Sequence, residues 1–586
     1  MDEFESPRGV EPSLTRFKLN TMRTKYLILG SITLLFGVLL GTWLADLTPW
    51  ECAVVPGCLL LLGLRDAMQS KHSILKNYPV IGHGRYLMEA LRPALRQYVV
   101  ESDLDEAPFS RIQRSVVYQR AKNTVDSRTF GTELNVNQVG HEFLVHSLSP
   151  TVIPDADFRV VIGATRAKPY AMSVFNISAM SFGALSANAI RALNRGAKLG
   201  GFAHDTGEGS LSRHHMEEGG DVVWQIASGY FGCRTADGRF DPDAFQRQAA
   251  RDQVKMIELK FSQGAKPGHG GVLPEKKITP EIAETRGIPM GKDCVSPAAH
   301  SEFSTPVEGL QFLEHLRTLS GGKPTGAKLC IGQPHEWMAF LKAMLLTGIY
   351  PDFIVVDGAE GGTGAAPVEF ADHVGMPLQE GLQLVHNSLI GAGLRDKIKL
   401  GASGKIVTAF DIARAIALGA DYCNSGRGMM FALGCIQAQT CASNKCPTGV
   451  ATQDPKRQKA LVVPDKAERV HHYHRNTLHA LKELLQAAGL KSPSDLSLHH
   501  VMRRVSSFQV EPLSNLLEQI EPGSLADGTC ESLSYKRWWA QADANTFQIQ
   551  DAKAIRKTHT PTEPEKRVIW LQSQSDLESR QSADVE

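Results

Sequence analysis

The chain has 586 residues, enough for several domains or for a single α/β barrel with extensions. Its 63 Lys and Arg residues against 62 Asp and Glu residues give a formal net charge of +1. Because a protein that holds nucleic acid needs a basic surplus, no nucleic-acid partner is expected. The ordinary apolar content predicts a large globular core.

The first predicted element is apolar. Residues 26–45 contain no charged side chain, and they match the ~20 residues that a helix needs to cross a bilayer. A second apolar stretch, residues 47–64, contains only Glu51 near its start, and Trp50 lies in the short polar turn between the two. We therefore predict a leader over residues 1–25 and a transmembrane helical hairpin over residues 26–64.

Basic residues flank this hairpin on both sides, and the positive-inside rule then places both ends in the cytoplasm. They are Arg16, Lys18, Arg23 and Lys25 before it, and Arg65, Lys71 and Lys76 after it. The expected location is the inner (cytoplasmic) membrane, with the catalytic domain facing the cytoplasm. A cleaved secretory signal is one alternative, and a single span that sends the body to the other side is another.

After a linker or helical region over residues 65–107, short apolar runs alternate with helix-like stretches, as expected of βα units. We predict strands at 172–177, 256–261, 327–331, 353–357, 397–400 and 420–424. This pattern favours an α/β fold of the (β/α)8 TIM barrel type over residues 108–504. The remainder, residues 505–586, is a polar C-terminal extension whose last ~20 residues are expected to be disordered on composition.

Two Gly-rich turns close the strand series, at 401–404 and 425–428. In such barrels the loops after the last strands often hold a phosphate through backbone N–H groups. The simpler explanation is that these glycines only make sharp corners.

The ten cysteines are not spread evenly, since Cys435, Cys441 and Cys446 lie within a dozen residues. Thiolates at this spacing favour zinc or an iron–sulfur cluster. A structural zinc would need a fourth ligand, for which His471 and His472 are candidates, whereas three thiolates suffice for a 3Fe–4S cluster. Cys423 and the other strand cysteines are expected to be buried thiols.

The cysteine loop, GCIQAQTCASNKCPTGVATQ over residues 434–453, resembles the cluster loop of glutamate synthases. Further motifs occur upstream in the order of that family's FMN barrel, and the resemblance covers roughly residues 108–453. They are NISAMSFGALS, DTGEG, QGAKPGHGGVLP, SPAAH and DGAEGGTGAAP.

The resemblance implies bound FMN and a 3Fe–4S cluster held by the three loop cysteines. Lys328 would place a cation beside flavin N1 and O2, although an ion pair at the barrel mouth is an alternative. The flavin ring would contact Ala179, Met180 and Ser181, and its phosphate would contact Gly404, Gly426 and Arg427.

Gln263 and Lys266 match family positions that line the 2-oxoglutarate site, and Glu208 in the DTGEG motif is placed to organise it. An ammonium group is a suitable partner for a dicarboxylate. Glu208 could instead cap backbone N–H groups of its own loop.

The sequence also departs from the family. His269 replaces an acid in the Lys-Pro-Gly-Glu-Gly-Gly motif, and Ala402-Ser403-Gly404 replaces Asp-Gly-Gly. No glutaminase and no GxGxxG motif after a strand are evident. Ammonia and electrons are therefore expected from outside, the electrons from a donor protein or a membrane carrier.

These features predict an FMN and iron–sulfur oxidoreductase that converts 2-oxoglutarate and ammonia to glutamate. Two alternatives remain: a membrane-linked FMN dehydrogenase for another amino or keto acid, and a non-enzymatic redox or scaffold subunit. The retained Gln263 and Lys266 argue against the second.

Overall fold

A computed structural model of the chain describes residues 13–104 and 107–549, with side chains from residue 25 onward. The expected disorder at the end of the chain lies outside the described residues. The chain divides between Arg111 and Ile112 into two compact units.

The N-terminal unit is helical. Its helices are Ser13–Leu44, Glu51–Met68, Ser73–Asn77 and Gly82–Leu95, followed by a π-helical turn, Arg96–Val100.

The first two helices form an antiparallel pair. Glycines on the second helix allow close approach: a Cβ at Gly57 would lie 2.9 Å from the Phe36 ring, and one at Gly63 would lie 2.8 Å from Leu29. Of the described residues, only Lys25–Leu44 forms a helix long and apolar enough to cross a membrane. The expected helical hairpin is therefore present as a fold element, but its second helix carries Glu51, Arg65 and Asp66 and does not meet that test.

The second unit is built around a closed barrel of eight parallel strands, with each strand next to its neighbour in sequence and the last next to the first. This confirms the predicted (β/α)8 barrel. The strands are β1 (Phe175–Ile177), β2 (His204–Asp205), β3 (Val222–Ile226), β4 (Val254–Lys260), β5 (Thr325–Leu329), β6 (Phe353–Asp357), β7 (Lys399–Ser403) and β8 (Tyr422–Ser425).

Helices follow the strands on the outside of the barrel. They are Ala187–Gly200, Arg213–Met216, Pro242–Ala249, Pro280–Arg286, Pro306–Leu319, Pro334–Thr347, Val368–His373, Leu378–Gly391, Ala409–Ala417, Arg427–Leu433, Pro455–Gln458 and Val463–Ala487, with Arg111–Ala121 before the first strand. The outward side chains of β3 and β4, such as Trp224 and Leu259, are fully buried against helix residues such as Phe245 and Leu313. Strands covered on both faces are mainly apolar, and this pattern allowed β4 to be predicted, whereas β3 was not among the predicted strands.

A two-stranded ribbon closes the amino end of the barrel. Arg159–Ile162 pairs antiparallel with Tyr170–Ser173. Ile162 and Met172 of this ribbon pack against Phe353 and Tyr422 from the barrel interior. The barrel is therefore a filled core at this end, and its open end lies at the carboxyl ends of the strands.

The C-terminal extension is folded over its described residues. Val501–Arg504 pairs with both Glu142–Leu144 and Val510–Pro512. Beyond this sheet are helices Leu513–Leu516, Ser524–Asp527 and Leu533–Gln541. Tyr535 is 4% exposed, its hydroxyl lies 3.3 Å from Asn387 Nδ2, and Lys342 Nζ lies over the Trp539 ring. The extension thus packs against the helices of the barrel.

Candidate active site

The barrel interior becomes polar toward the carboxyl ends of the strands. Alternate residues on a strand face the same side, so Gln225, Glu258 and Asp357 come two positions after the apolar interior residues Val223, Met256 and Val355. By the same alternation Lys260 and Lys328 face the interior near the ends of β4 and β5. All five polar or charged residues are less than 10% exposed. Active sites of such barrels lie at this end, and a buried layer of opposite charges there is the main chemical feature of the fold.

Asp205 and Glu258 are a buried carboxyl pair within this layer. Burial first, and then the neighbouring Asp205, raise the pKa of Glu258 well above its ordinary value. Burial also raises the pKa of Asp205. Gln225 Nε2 donates to Glu258 Oε1 at 2.6 Å. Burial and the mutual repulsion of the two carboxylates therefore favour the protonated form of this pair.

We expect Glu258→Gln to leave the fold intact. We also expect the free energy of unfolding of this variant to fall less steeply than that of the native chain as the pH rises. The amide keeps the acceptor for Gln225 and has the shape of the carboxyl that it replaces. In the native chain the unfolded state releases this proton first as pH rises, so the contribution to stability falls until the pH passes the raised pKa. Urea unfolding of both proteins across pH measures the difference.

The matched control is Glu468→Gln, an exposed carboxylate on helix Val463–Ala487, which should leave the pH profile unchanged. Parallel profiles for the native chain and Glu258→Gln would contradict a raised pKa of Glu258 in the folded state.

Lys328 lies at the centre of the layer. Its Nζ is 3.8 Å from Asp357 Oδ2, and the residue is 4% exposed. Burial alone would lower the pKa of Lys328, but Asp357, Glu258 and Asp205 raise it. The residue is thus a fixed cation at the barrel mouth. This position is consistent with both interpretations of Lys328 from the sequence, an ion pair and a flavin contact.

Glu208, just after β2, is surrounded by cations. Burial would raise its pKa, but Lys260, Lys266 and Arg286 lower it. Lys260 Nζ is 3.2 Å from Glu208 Oε2 and donates to Gln263 Oε1 at 2.5 Å. The structure therefore brings together the three predicted substrate-site residues and adds two that the sequence analysis missed, Lys260 and Arg286.

The Gln263–Lys266 segment is held closely at the barrel mouth. Lys266 is 3% exposed, and its Nζ donates to Ala365 O at 3.0 Å. Glycines in this loop are required by close contact, because a Cβ at Gly264 would clash with the Gly358 carbonyl and one at Gly271 with the Glu208 carboxylate. The loop is thus shaped by its neighbours on β2 and β6.

The segment Ala179–Ser181 follows β1 on the same edge. Met180 N donates to Asp205 O at 3.3 Å, which ties the segment to the end of β2. Arg286 Nη2 lies 3.4 Å from Ser181 Oγ and donates to Phe182 O at 3.1 Å. Arg286 therefore belongs to the cationic cluster around Glu208 and also contacts the predicted flavin segment at Ser181.

The predicted phosphate site lies at the ends of β7 and β8. Gly401, Ala402 and Ser403 belong to strand β7, so the prediction of a loop over 401–404 was wrong except at Gly404. Parallel pairing on both sides overrides the weak strand preference of Gly and Ser. Gly426 precedes helix Arg427–Leu433.

Arg427 is held at this position by its surroundings. Its Nη2 donates to Glu360 O at 2.6 Å, and burial lowers the pKa of Arg427 to about 10 despite Asp357 and Glu360. Burial and then the Arg427 charge lower the pKa of Lys405, which was not predicted. Two like charges so close together favour an anion between them.

The three loop cysteines follow helix Arg427–Leu433 and interact with one another. Burial and then the neighbouring Cys441 and Cys446 raise the pKa of Cys435. Burial would raise the pKa of Cys446, but backbone N–H groups and the Thr448 hydroxyl lower it. The described residues, however, contain no group of three or more His, Cys, Asp and Glu side chains arranged to hold a metal ion.

Lys277 supports the cysteine loop. Its Nζ donates to Ala184 O at 2.5 Å and to the carbonyls of Cys441 at 3.3 Å and Ala451 at 3.4 Å. The loop is therefore tied to the segment after β1 by a buried lysine. Cys423, in contrast, is fully buried on β8, as predicted.

His269, which departs from the family motif, is half-buried rather than a solvated loop residue. Its Nδ1 lies 2.8 Å from Gly270 O, and its ring meets the edge of Phe370 at 5.4 Å. It belongs to the same loop as Gly271, at which a Cβ would clash with the Glu208 carboxylate.

Comparison with known proteins supports one family. A family model described as the conserved region in glutamate synthase matches residues 132–491. Glutamate synthase large subunit-like protein YerD of Bacillus subtilis (strain 168) is 39% identical over 497 residues, which are 78% of this chain and 94% of that protein.

Two more distant relatives match a shorter region. The archaeal-type glutamate synthase (NADPH) of Thermotoga neapolitana is 37% identical over 320 residues, 54% of this chain and 60% of that protein. The archaeal glutamate synthase (NADPH) of Methanocaldococcus jannaschii is 38% identical over 321 residues, 55% of this chain and 60% of that protein. The chain thus matches three fifths of these two relatives.

Proposed function

Because this chain belongs to the glutamate synthase family, we propose that it is an FMN-dependent oxidoreductase that forms glutamate from 2-oxoglutarate and ammonia. The observation that carries the proposal is the cluster of Lys260, Lys266 and Arg286 around Glu208 at the barrel mouth. Its net charge of about +2 is the complement of a dicarboxylate.

Substrate binding would rest on charge-assisted hydrogen bonds. Lys266 and Lys260 are 3% and 9% exposed, and Arg286 is 4% exposed. Charged hydrogen bonds are stronger away from water, and the Arg286 guanidinium has the geometry to hold a carboxylate by two bonds. Glu208 attracts these cations and neutralises part of their charge.

The residues present fit FMN. Lys405 and Arg427 offer two cations to a phosphate beside Gly404 and Gly426, and Asn424 Oδ1 on β8 is buried without a hydrogen-bond partner among the described residues. Lys328, a buried cation, would stabilise an anionic reduced flavin. When bound, FMN would supply hydride transfer to the imine formed from 2-oxoglutarate and ammonia.

The three loop cysteines would hold a 3Fe–4S cluster. The described side chains are not arranged around a metal ion, so the support is the ligand count, the interaction of the three thiols with one another and the lowered pKa of Cys446, which favours the thiolate that a metal requires. The cluster would pass single electrons from a donor protein or a membrane carrier. The cysteine loop begins directly after helix Arg427–Leu433, which starts beside Gly426.

The apolar helix Lys25–Leu44 supports a location at the inner membrane, with the barrel on the cytoplasmic side. The basic residues that flank both apolar helices favour this orientation. A membrane location suits an enzyme that draws electrons from a membrane carrier.

The experiment that tests the function is purification followed by optical and substrate analysis. We expect the visible spectrum of a flavin and reoxidation of the reduced flavin by 2-oxoglutarate with ammonia. Reoxidation by a different keto acid, with no response to 2-oxoglutarate, would instead support a dehydrogenase for another amino or keto acid. A protein that holds no flavin would contradict both.

We expect removal of residues 1–101 to leave a body that still retains flavin. Every residue proposed to contact FMN lies in the second unit, and the cut keeps Phe109, which is 1% exposed. The measurement is FMN released per protein, compared with the full chain in detergent. A folded but flavin-free body would show that the N-terminal unit is part of the cofactor site.

A further inference from the structure

The helix Gly82–Leu95 and the turn Arg96–Val100, here called the surface helix, carry an exposed apolar stripe. Leu87, Leu91, Leu95 and Tyr98 recur at spacings of four, four and three residues, which places them on one side of a helix. They are 56%, 42%, 46% and 61% exposed, respectively. All four residues are thus exposed, Leu91 least at 42%.

Basic residues border the stripe. Arg85, Arg92 and Arg96 lie on the adjoining side of the surface helix by the same helical periodicity. Arg85 Nε is 3.0 Å from Glu89 Oε1, and Arg96 pairs with Glu101. An apolar side edged by arginines is typical of helices that lie in the plane of a membrane surface.

The start of the surface helix is fixed at the end of the second apolar helix. Asp66 is 2% exposed, accepts from Val80 N at 2.9 Å and lies 2.9 Å from His83 Nε2. Arg65 and Asp66 are also the first charged residues after the apolar stretch 52–64. The surface helix therefore begins at the level where the apolar surface of the helix pair ends.

A helix of this length is marginal in water unless its apolar side is buried. We propose that the surface helix lies in the membrane interface, with the stripe against acyl chains and the arginines against anionic phosphate headgroups. The proposal rests on the proposed membrane location. Lipid is the occupant that both the border of arginines and the continuity with the apolar helix pair favour.

The test uses the full-length chain in vesicles of phosphatidylethanolamine and phosphatidylglycerol that contain a tagged phospholipid. A photo-crosslinking benzoylphenylalanine replaces one residue at a time: Leu91 on the stripe, Glu89 on the polar side or Leu35 on the first apolar helix. We expect lipid adducts at Leu91 and Leu35 and none at Glu89. All three positions are exposed, and gel filtration confirms that each variant is folded.

The outcomes distinguish the proposed interfacial helix from the proposed membrane span. An adduct at Leu35 without one at Leu91 would overturn the interfacial helix and leave the membrane span standing. A crosslink from Leu91 to a second copy of the chain or to another protein would also overturn it. Absence of lipid adducts at all three positions would overturn both. In vesicles of phosphatidylcholine alone the Leu91 adduct should fall, and an unchanged yield would overturn the role of anionic headgroups.

Discussion

Changing any one of Cys435, Cys441 or Cys446 to Ser is expected to abolish the iron–sulfur cluster. Three thiolates supply the whole ligand set of a 3Fe–4S cluster, so no spare ligand compensates for a lost one. Reduction of the flavin by the physiological donor should then stop, whereas reduction by a small chemical reductant should persist in any protein that keeps FMN. Iron, acid-labile sulfide and flavin are measured per protein after anaerobic preparation.

The matched control is Cys423→Ser. Cys423 is fully buried on β8, and burial raises the pKa of its thiol, so it has neither the exposure nor the thiolate character of a ligand. Its change should leave the iron content unaltered. Stoichiometric zinc without iron or sulfide in the native protein would contradict the cluster and make the loop a structural zinc site.

The barrel could be predicted because its strands are covered on both faces and are therefore continuous apolar runs. β6 is such a run, and its predicted bounds are those of the structure. β2 was missed because two residues, His204 and Asp205, carry no periodic signal. β3, Val222–Ile226, was also missed, although it is largely an apolar run. The strand predicted for β7 ended too early, because Gly401 and Ser403 are typical turn residues. In the structure, pairing with the two neighbouring strands places both residues in β7.

In the candidate site too, the sequence reveals residues in local motifs but not contacts that only the tertiary fold creates. Glu208, Gln263 and Lys266 lie in Gly-rich motifs that a single sequence can reveal. Lys260 is the last residue of an otherwise apolar strand, which is a usable signal in a barrel because strand ends face the site. Arg286 carries no such signal, since it lies at the end of helix Pro280–Arg286 and reaches Ser181 and Phe182 only through the tertiary fold.

The surface helix was equally visible in principle, because its stripe follows from residue spacing alone. What the sequence could not show was that the stripe is left uncovered. That fact depends on Asp66, which fixes the start of the helix at Val80 and His83. Exposure is a property of the folded unit, and periodicity gives only the side of the helix.

Changing Lys266 to Met is expected to raise the KM for 2-oxoglutarate strongly while leaving the flavin content intact. Met keeps the apolar stem and removes the charge that faces Glu208. Loss of a charge-assisted hydrogen bond in a buried site costs about 1.5–3 kcal/mol, and this corresponds to roughly a tenfold to hundredfold change in binding. Steady-state kinetics at varied 2-oxoglutarate, with flavin absorbance as the reference, provide the measurement.

The control for this prediction is Lys292→Met, which removes an equal charge from an exposed position on the same β4–β5 connection. It should leave KM unchanged. The two variants together separate local binding from the general field of the protein, because a long-range effect would act from Lys292 as well. An unchanged KM for 2-oxoglutarate in Lys266→Met would contradict the assigned substrate site. If KM for a different keto acid rose instead, the cationic cluster would still bind substrate, but the dicarboxylate assignment would be wrong.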